Sequence, residues 1–337
     1  MNPILVTGGL GFIGSHTVVE LLAQGREVLI LDNLSNSTLD VLDGIEKIAG
    51  VRPAFAKVDL RDKTAIASAL EGKQLDGVIH FAAAKSVSES LERPLYYYEN
   101  NISALVNLLQ VLSDQKSCKF IFSSSCTVYG EPDSLPITED APVKPAITPY
   151  GYSKQVGEQL LRDAVAANEN MRTVLLRYFN PIGAHASGHI GELPQGVPQN
   201  LIPYLTQTAA GERESLSIFG TDYDTADGTA VRDYIHVVDL ARAHIAALDA
   251  IAADDSEPIQ LYNVGTGQGT SVREIVTTFE NCCAPVAHEY TDRRPGDIMA
   301  IYAGTEKAEQ HLGWKATHSL EDSLKSAWKW QQKLSAR

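Results

Sequence analysis

The sequence predicts an α/β fold in which a doubly wound parallel sheet is followed by a smaller mixed α/β domain. In the N-terminal half, short apolar runs alternate with helix-like stretches, which is typical of a parallel sheet with helices on both faces. From Asn180 onward the alternation breaks, and glycine- and proline-rich connections dominate. We therefore expect one domain at residues 1–180 and a second at residues 181–337, with segments around 232–262 packing back on the first.

The bulk composition predicts a globular protein without a nucleic-acid or membrane partner. Of the 337 residues, 44% are hydrophobic and 21% are charged, as in typical globular domains. The net charge of −14 argues against a protein that binds a phosphate backbone, since such proteins carry basic patches. No apolar run approaches the roughly 18 residues that a membrane span needs.

The N-terminus and the cysteines predict a cytoplasmic location. No basic region precedes the first apolar run, Ile4 to Val6, so we expect no signal peptide. The four cysteines form no Cys-x-x-Cys pair, and we expect them to be reduced. His185 and His189 lack the glutamate of the zinc-protease pattern, so we expect them to be loop residues and predict no metal.

The first apolar run leads into a glycine-rich turn that predicts a dinucleotide site. Gly8, Gly11 and Gly14 are spaced three apart, before a helical stripe that stops near Gly25. Such a turn brings the backbone close to a pyrophosphate and offers it the N–H groups of a helix N-terminus. Asp32 follows the next predicted strand, 21 residues after Gly11, about where an acid accepts the ribose hydroxyls of NAD. Taken alone, Asp32 also fits a turn aspartate.

Polar and aromatic residues follow the later strands of this predicted Rossmann sheet. They are Asp59, Phe81, Lys85 and a cluster of serines at 123–125. Ligands of such sheets bind beyond the carboxyl ends of the strands, so we expect these residues to face one cleft. His80, just inside its strand, is expected to be a packed residue.

A helix that begins at Pro149 is predicted to carry an acid/base pair. Tyr150 and Lys154 are four apart and share one helix face, whereas Tyr152 points elsewhere. An ammonium beside a phenol lowers the pKa of the phenol, which suits it to take a proton from a substrate hydroxyl. Ser125, at a strand end, is expected to hydrogen-bond the same hydroxyl. Taken alone, the pair is also compatible with a surface tyrosine packed on a lysine stem.

The C-terminal half carries isolated arginines beside glycine-rich loops. Arg232 and Arg294 stand out there, and arginine binds phosphate through two parallel hydrogen bonds. Long loops in a compact protein are usually functional. These residues therefore suggest a phosphate-bearing ligand, and ordinary surface arginines are the alternative.

Together these stretches resemble the extended short-chain dehydrogenase/reductase superfamily and, within it, the UDP-glucose 4-epimerase family. The matching stretches are residues 6–16, 31–34, 122–130, 176–184 and 228–237, and they cover the chain almost end to end. The last two, residues 176–184 and 228–237, are specific to the epimerase branch of the superfamily.

The resemblance implies reversible inversion at C4 of UDP-galactose and UDP-glucose through a 4-keto intermediate, with tightly bound NAD, in galactose metabolism. It makes Tyr150, Lys154 and Ser125 the catalytic residues. The residues implied to bind NAD are Gly8, Gly11, Phe12, Ile13, Gly14, Asp32, Asn33, Asn36, Ser37, Asp59, Leu60, Phe81, Ala82, Ala83, Lys85, Asn100, Tyr150, Lys154 and Phe179. Those implied to bind the UDP-sugar are Lys85, Ser125, Thr127, Tyr150, Tyr178, Asn180, Asn200, Leu201, Ser217, Ile218, Phe219, Arg232, Arg294, Asp297 and Ile301.

Alternative functions remain open from the sequence. Ile301 stands where family members have a tyrosine or a small residue at the back of the sugar pocket, so a related epimerase that also accepts UDP-N-acetylhexosamines is retained. A nucleotide-sugar dehydratase is disfavoured, because Val128-Tyr129 follows Thr127 where those enzymes carry an Asp-Glu pair. A non-catalytic NAD-binding regulator would not need the catalytic serine, tyrosine and lysine together.

The resemblance also implies a homodimer. Family members are generally joined by helices of the N-terminal domain, and the candidates here are Leu95 to Leu112 and the helix that carries Tyr150. A further stretch, Leu320 to Leu334, is predicted to form an amphipathic closing helix.

Overall fold

The predicted alternation of strands and helices is present along the N-terminal half. The computed structural model describes residues 2–113, 115, 118–251, 257–294 and 297–336. The strands are β1 (Ile4–Thr7), β2 (Val28–Asp32), β3 (Ala54–Lys57), β4 (Gly77–His80), β5 (Cys118–Ser123), β6 (Met171–Tyr178), β7 (Asn180–Ile182), β8 (Leu216–Phe219), β9 (Val231–Arg232), β10 (Tyr234–His236), β11 (Ile259–Val264), β12 (Thr270–Ser271), β13 (His288–Thr291) and β14 (Ala300–Ile301). The helices are α1 (Phe12–Ala23), α2 (Asp40–Ala49), α3 (Lys63–Leu70), α4 (Val87–Glu92), α5 (Pro94–Tyr98), α6 (Ala104–Leu112), α7 (Pro149–Ala167), α8 (Leu201–Ala209), α9 (Val237–Ala250), α10 (Val272–Cys282), α11 (Glu306–Leu312) and α12 (Leu320–Ser335).

The large sheet has seven strands in the order β11-β6-β5-β4-β1-β2-β3. Every pairing within it is parallel. The strand order reverses direction at β1, which is the doubly wound arrangement. The fold class predicted from the sequence is therefore confirmed.

Apolar side chains cover both faces of this sheet, because successive strand residues point to opposite sides. On one face, Ile4 and Val6 pack in a core with residues of α1, α2 and α9. On the other face, Leu5 packs with residues of α3, α6 and α7. Each fully buried aliphatic side chain contributes about 1.5–3 kcal/mol. His80 is buried at the end of β4 with its Nδ1 2.8 Å from the Thr7 hydroxyl, as expected for a packed residue.

The C-terminal half builds short sheets around a core of its own. β10 pairs with β7, β9 lies between β12 and β14, and β13 pairs with β8. Apolar side chains of β7, β8 and β10 pack with those of α8, α10 and α12. Between these elements the chain returns to the large sheet, where α9 packs on α1 and β11 pairs with β6. The domain boundary near residue 180 stays a prediction.

No helix in the described ranges is long and apolar enough to cross a membrane. The predicted closing helix is present as α12, and Ser319 caps it through a reciprocal pair of hydrogen bonds with Asp322.

A buried ion pair ties α7 to the large sheet. Two parallel hydrogen bonds, 2.9 and 2.6 Å long, run from the Arg177 guanidinium on β6 to the Glu158 carboxylate on α7. Ser124 also donates to Glu158 at 2.6 Å, and the Tyr129 ring lies 4.5 Å from the guanidinium. Because both carboxylate oxygens and two guanidinium nitrogens are hydrogen-bonded, this pair fixes the helix at the sheet's carboxyl edge.

We expect Glu158→Gln to destabilise the protein by about 3–5 kcal/mol, because it leaves the Arg177 charge buried without a counter-ion. Urea denaturation measures this loss as a lower midpoint. The matched control is Glu321→Gln, which breaks an exposed i,i+4 pair with Lys325 and should leave the midpoint unchanged. Equal midpoints for Glu158→Gln and the wild-type chain would contradict the assigned role.

Candidate active site

Two adjoining cavities open at the carboxyl ends of the parallel strands. The larger, about 750 Å³, is lined by the glycine turn, by residues that follow β2, β3 and β4, and by the start of α7. The smaller, about 360 Å³, is lined mainly by residues of β7, β8, β9 and α8. Glu192 and residues 197–200 line both cavities, which therefore share a wall.

The glycine turn leaves space at the start of α1. Gly8 has a φ of +66°, a conformation that favours glycine. A Cβ on Gly14 would lie 2.2 Å from the Gly8 carbonyl oxygen. No side chain caps α1 at Gly11, and no acidic residue stands in its first turn. The positive end of the helix is therefore available to an anion, which fits the pyrophosphate of a dinucleotide.

Asp32 presents a preorganised carboxylate at the end of β2. Its oxygens accept hydrogen bonds from the backbone N–H groups of Leu10 (3.0 Å) and Leu34 (2.8 Å) and from the Ser37 hydroxyl (3.3 Å). A carboxylate has about four acceptor sites, so capacity remains for ribose hydroxyls. The carboxylate of Asp32 and the free helix N-terminus of α1 therefore fit NAD, the cofactor that the sequence predicts.

All but one of the residues predicted to bind the cofactor line the larger cavity. Phe179 is the exception, because it is buried against Cys126 and Ile301. Tyr178 before it does line the cavity, and the next residue of an extended chain points the other way. The predicted residues that line this cavity are Gly8, Gly11, Phe12, Ile13, Gly14, Asp32, Asn33, Asn36, Ser37, Asp59, Leu60, Phe81, Ala82, Ala83, Lys85, Asn100, Tyr150 and Lys154.

The predicted catalytic residues lie together at the start of α7. Pro149 opens the helix, and Tyr150 and Lys154 are both buried one turn apart. Lys154 Nζ donates to the Ser123 carbonyl at 2.8 Å and lies 5.9 Å from the centre of the Tyr150 ring. The Ser125 side chain acts on the Tyr150 hydroxyl to lower the pKa of the phenol, so the strand end and the helix start meet.

Thr127 sets the direction of the Ser125 hydroxyl. Ser125 Oγ accepts hydrogen bonds from the Thr127 amide at 3.2 Å and from the Thr127 hydroxyl at 3.0 Å. A serine hydroxyl carries one proton, which these two accepted hydrogen bonds leave free for donation to a neighbouring oxygen, and the influence of Ser125 on Tyr150 lowers the pKa of the phenol. This geometry favours the ionised form of the phenol.

The expectation that Lys154 lowers the pKa of Tyr150 is wrong for the chain alone. Burial raises the pKa of Tyr150 well above 10, and the neighbouring Tyr178 raises it further, against the opposing hydrogen bond from Ser125. Burial also lowers the pKa of Lys154 to about 8, although Glu158 opposes this. Desolvation penalises the charged form of each group, so the phenolate needs a further positive charge.

The smaller cavity gathers most of the residues predicted to bind a UDP-sugar. Asn180, Asn200, Leu201, Ser217, Phe219, Arg232, Arg294 and Asp297 line it, while Lys85, Tyr150 and Tyr178 line the larger one.

Other predicted substrate residues lie outside both cavities. Ile218 is in the core of the C-terminal half, and Ile301 is buried beside Phe179. Ile301 is the register partner of Arg232 in the β9–β14 pair, but only the arginine lines the cavity. Ser125 and Thr127 are hydrogen-bonded to each other and line neither cavity. Ile301 thus packs against Phe179 in this structure, and its role at the back of the sugar pocket stays a prediction.

Sequence reasoning missed Glu192 and Asn101. Glu192 is an isolated acid in a loop, and only its location between the cavities distinguishes it. Asn101 lies in a π-helical turn, Glu99–Ser103, where its side-chain amide donates to the Ser153 hydroxyl (3.0 Å) and accepts from the Ala84 amide (2.8 Å). It thereby joins α7 to the segment after β4.

Within the described ranges, no group of three or more His, Cys, Asp and Glu side chains could hold a metal ion. His185 and His189 lie on the loop that follows β7.

This site offers a proton acceptor beside a dinucleotide cavity, next to a second cavity with two arginines in its wall. A buried tyrosine and lysine beside a dinucleotide cavity, next to a second cavity whose wall carries Arg232 and Arg294 as well as the acids Glu192 and Asp297, are typical of enzymes that move a hydride and a proton at a hydroxyl-bearing carbon with a bound nicotinamide cofactor. The chain belongs to the NAD dependent epimerase/dehydratase family, which it matches over residues 4–265. Its cofactor is NAD, as the sequence predicted.

Several relatives and solved structures with full-length similarity are UDP-glucose 4-epimerases. The chain is 49% identical over 329 residues to the Bacillus subtilis (strain 168) enzyme, covering 97% of this chain and 96% of that one. The Stenotrophomonas maltophila structure, with bound NAD and formylated UDP-arabinopyranose, has a TM-score of 0.96 at 46% identity and covers 100% of this chain and 99% of that one. The Bifidobacterium longum structure, with NAD⁺ and UDP, has a TM-score of 0.94 at 46% identity, with 98% of each chain covered. These comparisons confirm the resemblance seen in the sequence.

We expect Lys154→Met to change the pH dependence of stability in the cofactor-free protein. The pKa of Lys154 falls from 10.5 to about 8 on folding, so between these values the unfolded chain holds a proton that the folded chain has lost. Stability of the wild-type chain should therefore rise with pH across this window, by up to about 3 kcal/mol relative to Lys154→Met. Urea denaturation at about pH 7.5 and about pH 10 measures this change. The same stability difference at both values would contradict the lowered pKa.

Proposed function

We propose that this enzyme reversibly inverts C4 of the hexose in UDP-galactose and UDP-glucose, with NAD tightly bound. The observation that carries the proposal is the location of Tyr150, buried in the wall of the cofactor cavity one helical turn from Lys154. A second cavity with Arg232 and Arg294 in its wall adjoins this one. The Bacillus subtilis relative is a UDP-glucose 4-epimerase, and the Bifidobacterium longum structure holds NAD⁺ and UDP.

The chain's own residues handle the proton. When bound, NAD⁺ supplies the acceptor of the C4 hydride and a positive charge beside the phenol. Tyr150 takes the proton of the 4-hydroxyl, and Ser125, oriented by Thr127, hydrogen-bonds the reacting oxygen. Lys154 holds its ammonium one helical turn from the phenol. After the 4-keto sugar has turned over, C4 presents its opposite face for return of the hydride, and Tyr150 returns the proton to the 4-oxygen.

Firm contacts to UDP and loose contacts to the hexose allow this turnover. Arg232 forms an ion pair with Asp297, and the Arg294 guanidinium lies 3.9 Å from the centre of the Phe219 ring. Both arginines are thus held in place in the wall of the smaller cavity. Arginines bind the oxygens of a diphosphate through paired hydrogen bonds. We assign the diphosphate to them and the nucleoside to Asp297.

Dehydration of a nucleotide sugar is less well supported by the site. The positions after Thr127 carry Val128 and Tyr129, both buried, and the Tyr129 hydroxyl donates to the Asn263 side chain at 2.6 Å. Neither position supplies the acid or base that removal of water requires.

The wider alternative is an epimerase that also acts on UDP-N-acetylhexosamines. Kinetics with UDP-N-acetylglucosamine decides between it and the narrower activity. Turnover near that of UDP-galactose would assign the wider activity.

The proposal includes a homodimer and a cytoplasmic location. Apolar side chains are exposed on α4, α5 and α7, where Leu91, Leu95 and Tyr152 are 60%, 79% and 49% exposed. These helices contact one another, so they form a surface whose burial against a second copy would be favourable.

The cysteines of the described ranges are free thiols, which agrees with a cytoplasmic enzyme. Cell fractionation tests the location.

We expect Tyr150→Phe to lower kcat at least about a hundredfold, because the base is lost, while the Kd for UDP stays within about twofold, since UDP contacts lie in the other cavity. Coupled detection of UDP-glucose formed from UDP-galactose measures turnover, and calorimetry measures UDP binding. The matched control is Tyr152→Phe, an exposed tyrosine on the same helix, which should keep wild-type kcat. Near-normal turnover in Tyr150→Phe would overturn the mechanism.

We expect Leu95→Asp to produce monomers, because a charge at the centre of an apolar interface must lose its hydration. Size-exclusion chromatography with light scattering measures the mass in solution. Val51→Asp, at an exposed apolar position after α2, is the matched control and should keep the wild-type mass. A monomeric wild-type chain, or a dimeric Leu95→Asp variant, would contradict the proposed dimer.

A further inference from the structure

Glu192 occupies a position that the proposed reaction does not explain. It lies in the loop between β7 and α8 and lines both the cofactor cavity and the smaller cavity. Its side chain is only 12% exposed. A mostly buried carboxylate normally has a specific partner, so its contacts indicate what it does there.

A single oxygen of this carboxylate joins the two cavities. Glu192 Oε1 accepts a hydrogen bond from Lys85 Nζ at 3.0 Å and another from the Asn200 amide at 2.6 Å. Lys85 follows β4 in the wall of the cofactor cavity, whereas Asn200 caps α8 and lines both. Burial lowers the pKa of Lys85, but the charge of Glu192 and its hydrogen bond outweigh burial and raise the pKa overall. The lysine is therefore held as an ammonium by this carboxylate.

The backbone of Glu192 is held by the last helix of the chain. Trp330 on α12 donates its ring N–H to the Glu192 carbonyl oxygen at 2.8 Å. A Cβ on Gly191 would lie 2.5 Å from the Trp330 ring, so this close approach requires glycine. The carboxylate is thus presented by a fixed segment of backbone.

The charge of Glu192 opposes the ligand that the adjoining cavity is built to take. Arg232 and Arg294 suit a diphosphate, and a carboxylate in the same wall repels it. At the same time Glu192 occupies Asn200 and Lys85, two donors that would otherwise be free for an anionic ligand. The Glu192 carboxylate therefore repels an anionic ligand and also holds the donors that would bind it. It keeps Lys85 and Asn200 ordered until the ligand displaces the carboxylate.

We propose that Glu192 is a positioning residue that acts as a latch displaced by substrate. Without a sugar nucleotide it holds Lys85 and Asn200 together across the shared wall of the cavities. When the ligand binds, one or both donors turn from the carboxylate to the ligand. This inference rests on the proposed function, since it takes the ligand to be a nucleoside diphosphate sugar. The latch weakens ground-state binding and thereby speeds release of the product.

The test is Glu192→Gln in the NAD-loaded protein. The amide keeps the size of the side chain and an acceptor for the two donors, but it removes the charge. We expect the Kd for UDP, measured by calorimetry, to fall about tenfold. KM for UDP-galactose should fall together with kcat, because release slows. Glu192→Asp, which keeps the charge, should stay near the wild-type Kd for UDP.

The matched control is Glu212→Gln. Glu212 accepts a hydrogen bond from Gln331 on the same helix, α12, at 2.8 Å but lines neither cavity, so it should change neither Kd nor KM. A Kd for UDP in Glu192→Gln that equals or exceeds the wild-type value would overturn the latch, as would a fall in kcat at unchanged KM. Failure of the wild-type enzyme to convert UDP-galactose would overturn the proposed function instead.

Discussion

All strands of the large sheet run in one direction, and this constraint decides where the chemistry takes place. The carboxyl ends of parallel strands meet at one edge, so residues that follow different strands converge although they are distant in sequence. β5 leads to Ser125, β6 ends at Tyr178, and α7, which connects these strands, carries Tyr150. The C-terminal segments need only cover this edge to enclose a second cavity beside the first.

The buried ionisable groups of this protein differ in how fully neighbouring groups compensate their charges. In the Glu158–Arg177 pair, both carboxylate oxygens and two guanidinium nitrogens are hydrogen-bonded, so each charge is balanced by the other within the fold. Lys154 and Tyr150 have only partial compensation, and burial shifts the pKa of both toward the neutral forms. A site left short of positive charge in this way is poised to gain phenolate character when a cationic ring binds beside it.

The sequence predicted the parts of this protein that depend on local pattern. The glycine turn, Asp32 and the Tyr150–Lys154 spacing follow from repeat distances along single elements, and the large sheet follows from alternation. What failed depends on tertiary packing. The inward direction of Phe179 and Ile301 is set by neighbouring strands, and the raised pKa of Tyr150 comes from burial that no spacing reveals. Glu192 was missed because its partners, Lys85 and Asn200, come from distant parts of the chain.

The contact of Trp330 with Gly191 has a consequence for the order in which the enzyme is assembled. During synthesis the N-terminal sheet lacks its edge strand until β11 has emerged, far beyond the residues that carry the reactive groups. The wall shared by the two cavities is completed still later, when α12 docks. The residues of the glycine turn are thus made long before α12, which completes the wall between the two cavities. A polypeptide that lacks α12 therefore contains the catalytic residues but not the complete wall of the binding site.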